Sequence, residues 1–231
     1  NDDIPSLDKC GNLFEFGYIV EQNNTLAAYI YKYEADKGYN DTLIKYKLRI
    51  NMKKAADAGF LPVVYYYASM LYYGDLGVVN KKIAAHYFKI GADKKHPLCI
   101  SEYARMLEIG DEVDVNKTGA AHYYKIGSYL SDLKIKESID NNDAKKERAF
   151  YTKKAFECGD LNSTYEYAMI LLNGFGVETD EKEAAVLMKE AADKGHLKSK
   201  LKYGLMLYKG IGVEVNKLQS ISYIEESGHE N

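Results

Sequence analysis

Apolar residues recur along this chain at i, i+3 and i+4, the spacing that gathers side chains on one face of an α-helix, and the pattern restarts at a fixed interval. Before Gly74 it falls on Tyr67, Met70 and Leu71, before Gly110 on Tyr103, Met106 and Leu107, before Gly174 on Tyr167, Ile170 and Leu171, and before Gly210 on Tyr203, Met206 and Leu207. Gly74 and Gly110 lie 36 residues apart, as do Gly174 and Gly210. The residue six before each of these glycines is small (Ala68, Ala104, Ala168, Gly204), which suits a close crossing of two helices. Six residues after each glycine stands Asn80, Asn116, Asp180 or Asn216, whose side-chain oxygen can cap the first turn of a second helix. Glu183 and Gln219 follow two of these caps at the capping-box distance. The second helix carries a stripe of its own, as in Ala84-Tyr87-Phe88 and Ala184-Leu187-Met188. Each unit reads as a helical hairpin.

The remainder of the chain is the same unit altered. Near the N-terminus Gly17 takes the turn, Gly11 the small position, Phe14 the apolar position and Asn23 the cap, with Cys10 where the other units have Tyr. Gly38, Gly59, Gly159 and Gly195 end helices, where glycine adopts the left-handed conformation at little cost. Gly38 and Gly59 are too close for two full helices, so Thr42 to Asp57 is expected as one helix or a clipped hairpin. The stretch from Ser128 to Gly159 is expected to keep its second helix after a shortened first one. No linker-like tract interrupts the series. The reading is therefore one all-α domain over residues 1–231, with repeats at about 8–38, 39–59 (short), 60–95, 96–131, 132–159 (shortened first helix), 160–195 and 196–231 (incomplete at its C-terminal end).

These motifs resemble the Sel-1-like repeat, a relative of the tetratricopeptide repeat. The match is carried by GFGVETDEKEAAVLMKEAADKGH and GIGVEVNKLQSISYIEESGH; GDLGVVNKKIAAHYFKIGADKKH has its second glycine moved one place, and GDEVDVNKTGAAHYYKIG lacks it. The resemblance implies a right-handed α/α superhelical solenoid whose first helices line a concave groove, and adaptor or scaffold work in protein assemblies. Some bacterial members are cysteine-rich secreted proteins with affinity for β-lactam-like ligands; their cysteine pairs are absent here.

Composition narrows the chemistry. Lys and Arg number 31 against 34 Asp and Glu, so no basic excess drives nucleic-acid binding. The longest charge-free apolar run, Leu61 to Tyr73, is too short to span a bilayer, and no membrane insertion is expected. Cys10, Cys99 and Cys158 are too scattered for a disulfide framework or zinc site. Cys99 falls at a small-residue position and reads as a packed, inert thiol. His86 and His122 occupy one repeat position, which explains them without a metal. The clusters Lys45-Lys47-Arg49-Lys53-Lys54 and Lys145-Lys146-Arg148-Lys153-Lys154 spread around their helices as solvated faces. Sequons at Asn23, Asn40, Asn116 and Asn162 would matter only in a secretory compartment. No catalytic constellation, cofactor motif or metal-ligand set stands in a context that would give it a role, so an enzyme is not expected.

The stripe nine, five and two residues before each turn glycine is left over once the core face is assigned. It reads Tyr65-Ser69-Tyr72, Ser101-Arg105-Glu108, Tyr165-Met169-Leu172 and Leu201-Leu205-Tyr208, while the N-terminal unit gives an acidic Asp8-Asn12-Glu15. The expected function is a non-enzymatic protein-interaction scaffold that binds a partner peptide or helix on this groove stripe. An ER-luminal degradation adaptor of the same repeat class and a small-molecule-binding or hydrolase-like repeat protein are the alternatives. The expected compartment is the cytoplasm, with the secretory route left open. The last hairpin has no polar capping helix after it, which leads to an expectation of self-association or of a longer chain.

Overall fold

In a computed structural model of the protein, residues 4–16, 22–37, 42–75, 79–138 and 141–228 are described. They form twelve α-helices and, among the described residues, no strand. In chain order these are α1 (Ile4–Phe16), α2 (Asn24–Asp36), α3 (Thr42–Asp57), α4 (Leu61–Tyr73), α5 (Lys81–Asp93), α6 (Pro97–Ile109), α7 (Lys117–Glu137), α8 (Asn142–Glu157), α9 (Leu161–Asn173), α10 (Glu181–Asp193), α11 (Leu197–Lys209) and α12 (Lys217–Gly228). Gly17, Gly38, Gly77 and the Asn40 sequon lie outside the described residues.

The helices divide into two compact units, Asn1–Met106 with Asp111–Asp114, and Leu107–Gly110 with Val115–Asn231. In the first, α1 packs on α2, α2 on α3, α3 on α4 and α4 on α5. In the second, each helix from α7 to α12 packs on the next. The core of the second unit gathers Tyr167, Ala168, Ile170, Leu171, Leu187, Met188, Tyr203, Met206 and Leu207, all buried. Each such Leu or Met contributes about 1.5–3 kcal/mol through the apolar surface it removes from water. One contact recurs in both units: Tyr67 meets Tyr87 and Tyr203 meets Tyr223 edge to face, each pair with ring centroids 5.0 Å apart.

The four caps accept the bonds expected of them, from Ile83, Gly119, Glu183 and Gln219 N–H groups at 2.7–3.0 Å. Their own N–H groups are used elsewhere. Asn80 donates to the carbonyl of Leu71, Asn116 to Leu107, Asp180 to Leu171 and Asn216 to Leu207. These bonds satisfy carbonyls left over at the end of the preceding helix and fix the turn. The capping boxes expected at Glu183 and Gln219 are thus half formed, because the donor that would complete them is committed to the neighbouring helix.

The second glycine of the turn has a separate cause. A Cβ on Gly212 would stand 1.9 Å from the Glu181 carbonyl oxygen, and one on Gly176 would stand 2.3 Å from that of Lys145. Both glycines have positive φ, so the loop needs the glycine for conformation and for clearance. Where this glycine is missing, Glu112 adopts the left-handed conformation with φ 60°.

The two irregular segments resolve differently. Residues 42–57 form the single helix α3. Residues 128–137, expected to hold a shortened first helix, instead extend α7 without a break. No Pro or Gly interrupts them, and Gly127, Ser128 and Ser131 give α7 a flat buried face. On that face Tyr151 lies against Gly127, and Ser128 shares a 2.9 Å hydrogen bond with Thr152.

Candidate functional site

In the first unit, the stripe residues are tied to their neighbours. The Tyr65 ring stacks on His96 with centroids 5.8 Å apart, and also meets Phe88. Ser69 is half-buried, and its hydroxyl has no protein partner. The Tyr72 hydroxyl donates to the Asp111 carboxylate, which also pairs with Lys81 at 3.1 Å. Lys81 and Arg105 lie 4.8 and 5.3 Å from the centre of the Tyr72 ring. The Tyr72 bond, followed by that of Lys81, holds the Asp111 carboxyl below its ordinary range, although burial works against this. Arg105 makes a forked bond to Glu102 at 3.0 and 3.2 Å. Tyr72 and Arg105, separated in sequence, are therefore brought together, but as partners of each other and not as a free surface. The stripe read as acidic at the N-terminus is also internal where it is described: Asn12 and Glu15 both accept from the Tyr31 hydroxyl, and Glu15 is buried.

In the second unit the stripe becomes progressively more open. Glu108 accepts from Tyr124 at 2.8 Å and pairs with Lys154 at 3.2 Å. Tyr165, Met169 and Leu172 are half-buried against the core, with the Tyr165 ring 5.2 Å from that of His196. Tyr165 and Met169 border a cleft of about 300 Å³ that Arg148, Glu166, Asn173 and Phe175 complete. Arg148 lies over Phe175 and forms an ion pair with Asp132 at 2.5 Å. On α11 the stripe is open: Leu201, Leu205 and Tyr208 are 45%, 41% and 55% exposed.

The lysines beside this open stripe were not singled out in the sequence reading. Lys198, Lys202 and Lys209 follow it along α11, a helix with four lysines and no carboxylate. Helical spacing would have exposed them, since they sit roughly 60–100° round the helix from Leu201.

Elsewhere the chemistry is quiet. A cleft of about 350 Å³ is bordered by His122, Lys125, Cys158 and Asp160, with Lys125 paired to Asp160 at 3.0 Å. Burial, and then the charge of Glu108, pushes the Cys158 thiol up, away from the reactive thiolate. Burial and the nearby Glu102 push the Cys99 thiol up to about 12, and its sulfur packs against Gly91. Among the described residues no cluster of three or more His, Cys, Asp or Glu is placed to hold a metal, and no helix is long and apolar enough to cross a membrane. The basic clusters are partly neutralised: Lys53 pairs with Asp57, and Lys154 with Glu157 as well as Glu108.

Comparison with known proteins bears on the repeat itself. The family model described as Sel1 repeat matches residues 5–39, 63–96, 97–132, 162–196 and 198–228, and passes over the segments that contain α3 and α8. Among solved structures the chain is similar to a protective antigen present in uropathogenic Escherichia coli strains displaying an SLR fold, at 21% identity and a TM-score of 0.42, over 98% of this chain and 53% of that one. It is also similar to a Sel1 repeat protein from Oxalobacter formigenes, at 19% identity and a TM-score of 0.39, over 98% of this chain and 73% of that one. The chain thus spans about half the length of the first of these proteins. No curated protein matches it. With the matched repeats covering well over half of its residues, the chain belongs to the Sel1 repeat family, a protein-interaction scaffold type.

Proposed function

We propose that this chain is a non-enzymatic scaffold that binds a partner peptide or helix on the stripe of its second unit. The observation that carries the reading is the exposure of Leu201, Leu205 and Tyr208 at i, i+4 and i+7 on one helix. An exposed apolar ridge of this spacing is how helical docking surfaces present their anchors, and Tyr is among the residues enriched at such surfaces. Tyr165, Met169 and Leu172 continue the same repeat position on α9, half-buried and beside a cleft. Tyr65, Tyr72 and Arg105 leave the site in this reading, because their side chains are engaged within the first unit, and Ser69 leaves it with them as a half-buried residue that offers no apolar anchor. Glu108 likewise serves Tyr124 and Lys154.

The test uses the intact chain as bait in an extract of its own organism, beside a Leu201→Ser/Leu205→Ser variant. The variant should keep its thermal transition and lose a specific partner, with binding weakened by about 2–4 kcal/mol, the range of a pair of hot spots. A variant that keeps every partner of the parent would contradict the reading.

A further inference from the structure

The α11 stripe differs from its counterpart on α9 in charge as well as exposure. The residues flanking Tyr165, Met169 and Leu172 are Asn162, Glu166 and Asn173; at the same repeat positions α11 has Lys198, Lys202 and Lys209. These three share one flank of the stripe, and none of them forms an ion pair among the described residues. Other lysines of this region are paired: Lys189 with Asp193, Lys194 with Glu190 and Lys200 with Glu226, at 2.5–2.7 Å. Lys217, on the first turn of α12, stands 5.8 Å from the centre of the Tyr208 ring. An apolar ridge thus runs beside a row of lysines that form no ion pair among the described residues, on a chain whose net charge is −3.

Resting on the docking role proposed for this stripe, we infer that its partner is an acidic amphipathic helix, packed by its apolar face on Leu201, Leu205 and Tyr208 with its carboxylates along Lys198, Lys202 and Lys209. Charge complementarity selects this occupant. A neutral apolar helix would leave the lysine row unmatched, and a basic one would be repelled by it. The apolar ridge adds what a purely electrostatic ligand would not use. Because Lys198 and Lys209 are exposed and Lys202 is half-buried, they act mainly on partner choice and association rate, and salt weakens their effect.

The probe is an acidic helical peptide of about 15 residues built from Leu-Glu-Glu-Leu units, long enough to span α11. It is compared with a scrambled peptide of the same composition and with a twin carrying Lys for Glu. Titration calorimetry with the full chain should show binding of the acidic helix alone. Lys202→Glu/Lys209→Glu should weaken it about tenfold or more and admit the Lys twin, as expected for reversal of a docking charge. Leu201→Ser/Leu205→Ser should also weaken it. Loss with the leucine variant but not the lysine variant would overturn the acidic partner and leave the docking stripe standing. Indifference to both variants would overturn both. Equal binding of the scrambled peptide would make the surface a site for polyanions in general, against the inference. A chain that self-associates through this face, by sedimentation, and excludes the acidic peptide would give the surface to a second copy and overturn it as well.

Discussion

The hairpin α4–α5 and the hairpin α11–α12 share a framework and differ in what lies over their first helix. Both place a buried Tyr, a small residue and a Leu in the core, end the first helix on a left-handed glycine, and cap the second with Asn. On α4 the remaining stripe is half-buried and engaged, because His96 stacks on Tyr65, and Asp111, Lys81 and Arg105 surround Tyr72. On α11 the same positions hold Leu201, Leu205 and Tyr208 with substantial exposure. One repeat position can therefore be structural in one hairpin and available in another. The helix bearing it does not decide which; residues from the following loop and helix do.

If the framework is shared, enlarging the small residue should be damaging in both units. Ala68→Trp and Ala168→Trp should each cost about 3 kcal/mol in urea unfolding, because both sites are wholly buried where no volume can be added. Val186→Trp, at a position 65% exposed, should change little. Damage in one unit and tolerance in the other would break the comparison at its base.

The turn supplies the next effect. Gly212→Ala should cost about 2 kcal/mol or more, since it combines a left-handed conformation with a collision against the Glu181 carbonyl. Gly195→Ala should cost about 1 kcal/mol, because it meets the conformational penalty alone, with nothing within 4 Å of its added carbon. Equal losses at the two sites would show that clearance plays no part in the turn.

The smallest effect concerns acid. Tyr87 donates to Asp57 and Tyr223 to Asp193, each at 2.6 Å, one pair in each unit. Lys189 and then Tyr223 hold the Asp193 carboxyl below its ordinary 3.8; at Asp57 burial opposes the charge, and Lys53 and Tyr87 outweigh it. A carboxyl lowered by folding stabilises the fold above its unfolded pKa, and this contribution is lost as the pH falls through the folded value. Melting temperature should therefore drop as the pH falls through and below the ordinary carboxyl value of 3.8, and less steeply in Tyr87→Phe and Tyr223→Phe. An acid limb unchanged in both variants would remove these pairs from the account.

The hairpins, the caps, the helix-ending turn glycines and the core face were legible in the sequence because each has a signature within one repeat, although the second turn glycine also answers to the preceding repeat, where Glu181 and Lys145 crowd Gly212 and Gly176. The exposure of the stripe was not, because it is set across repeats: Tyr72 finds Asp111 thirty-nine positions away, and Tyr65 finds His96 on the far side of α5. Reading Tyr65, Ser69 and Tyr72 with Leu201, Leu205 and Tyr208 as one groove treated equivalent positions as equivalent surroundings. The extension of α7 was missed for a related reason, since the repeat template called for a break where the local residues contain nothing to stop a helix. The lysine row on α11 is legible from helical spacing alone, but its members stand four and seven residues apart and form no cluster in the linear sequence.

The contrast between the two stripes is tested most directly by comparing the denaturant midpoints of Tyr72→Ser and Leu205→Ser in the same chain. Tyr72→Ser should lose about 2 kcal/mol, because it removes a packed ring together with the hydroxyl that holds Asp111. Leu205→Ser should lose no more than about 0.5 kcal/mol, the range of a surface substitution. Equal losses, or a larger loss at Leu205, would show that the α11 stripe is part of the fold and contradict its assignment as a docking surface.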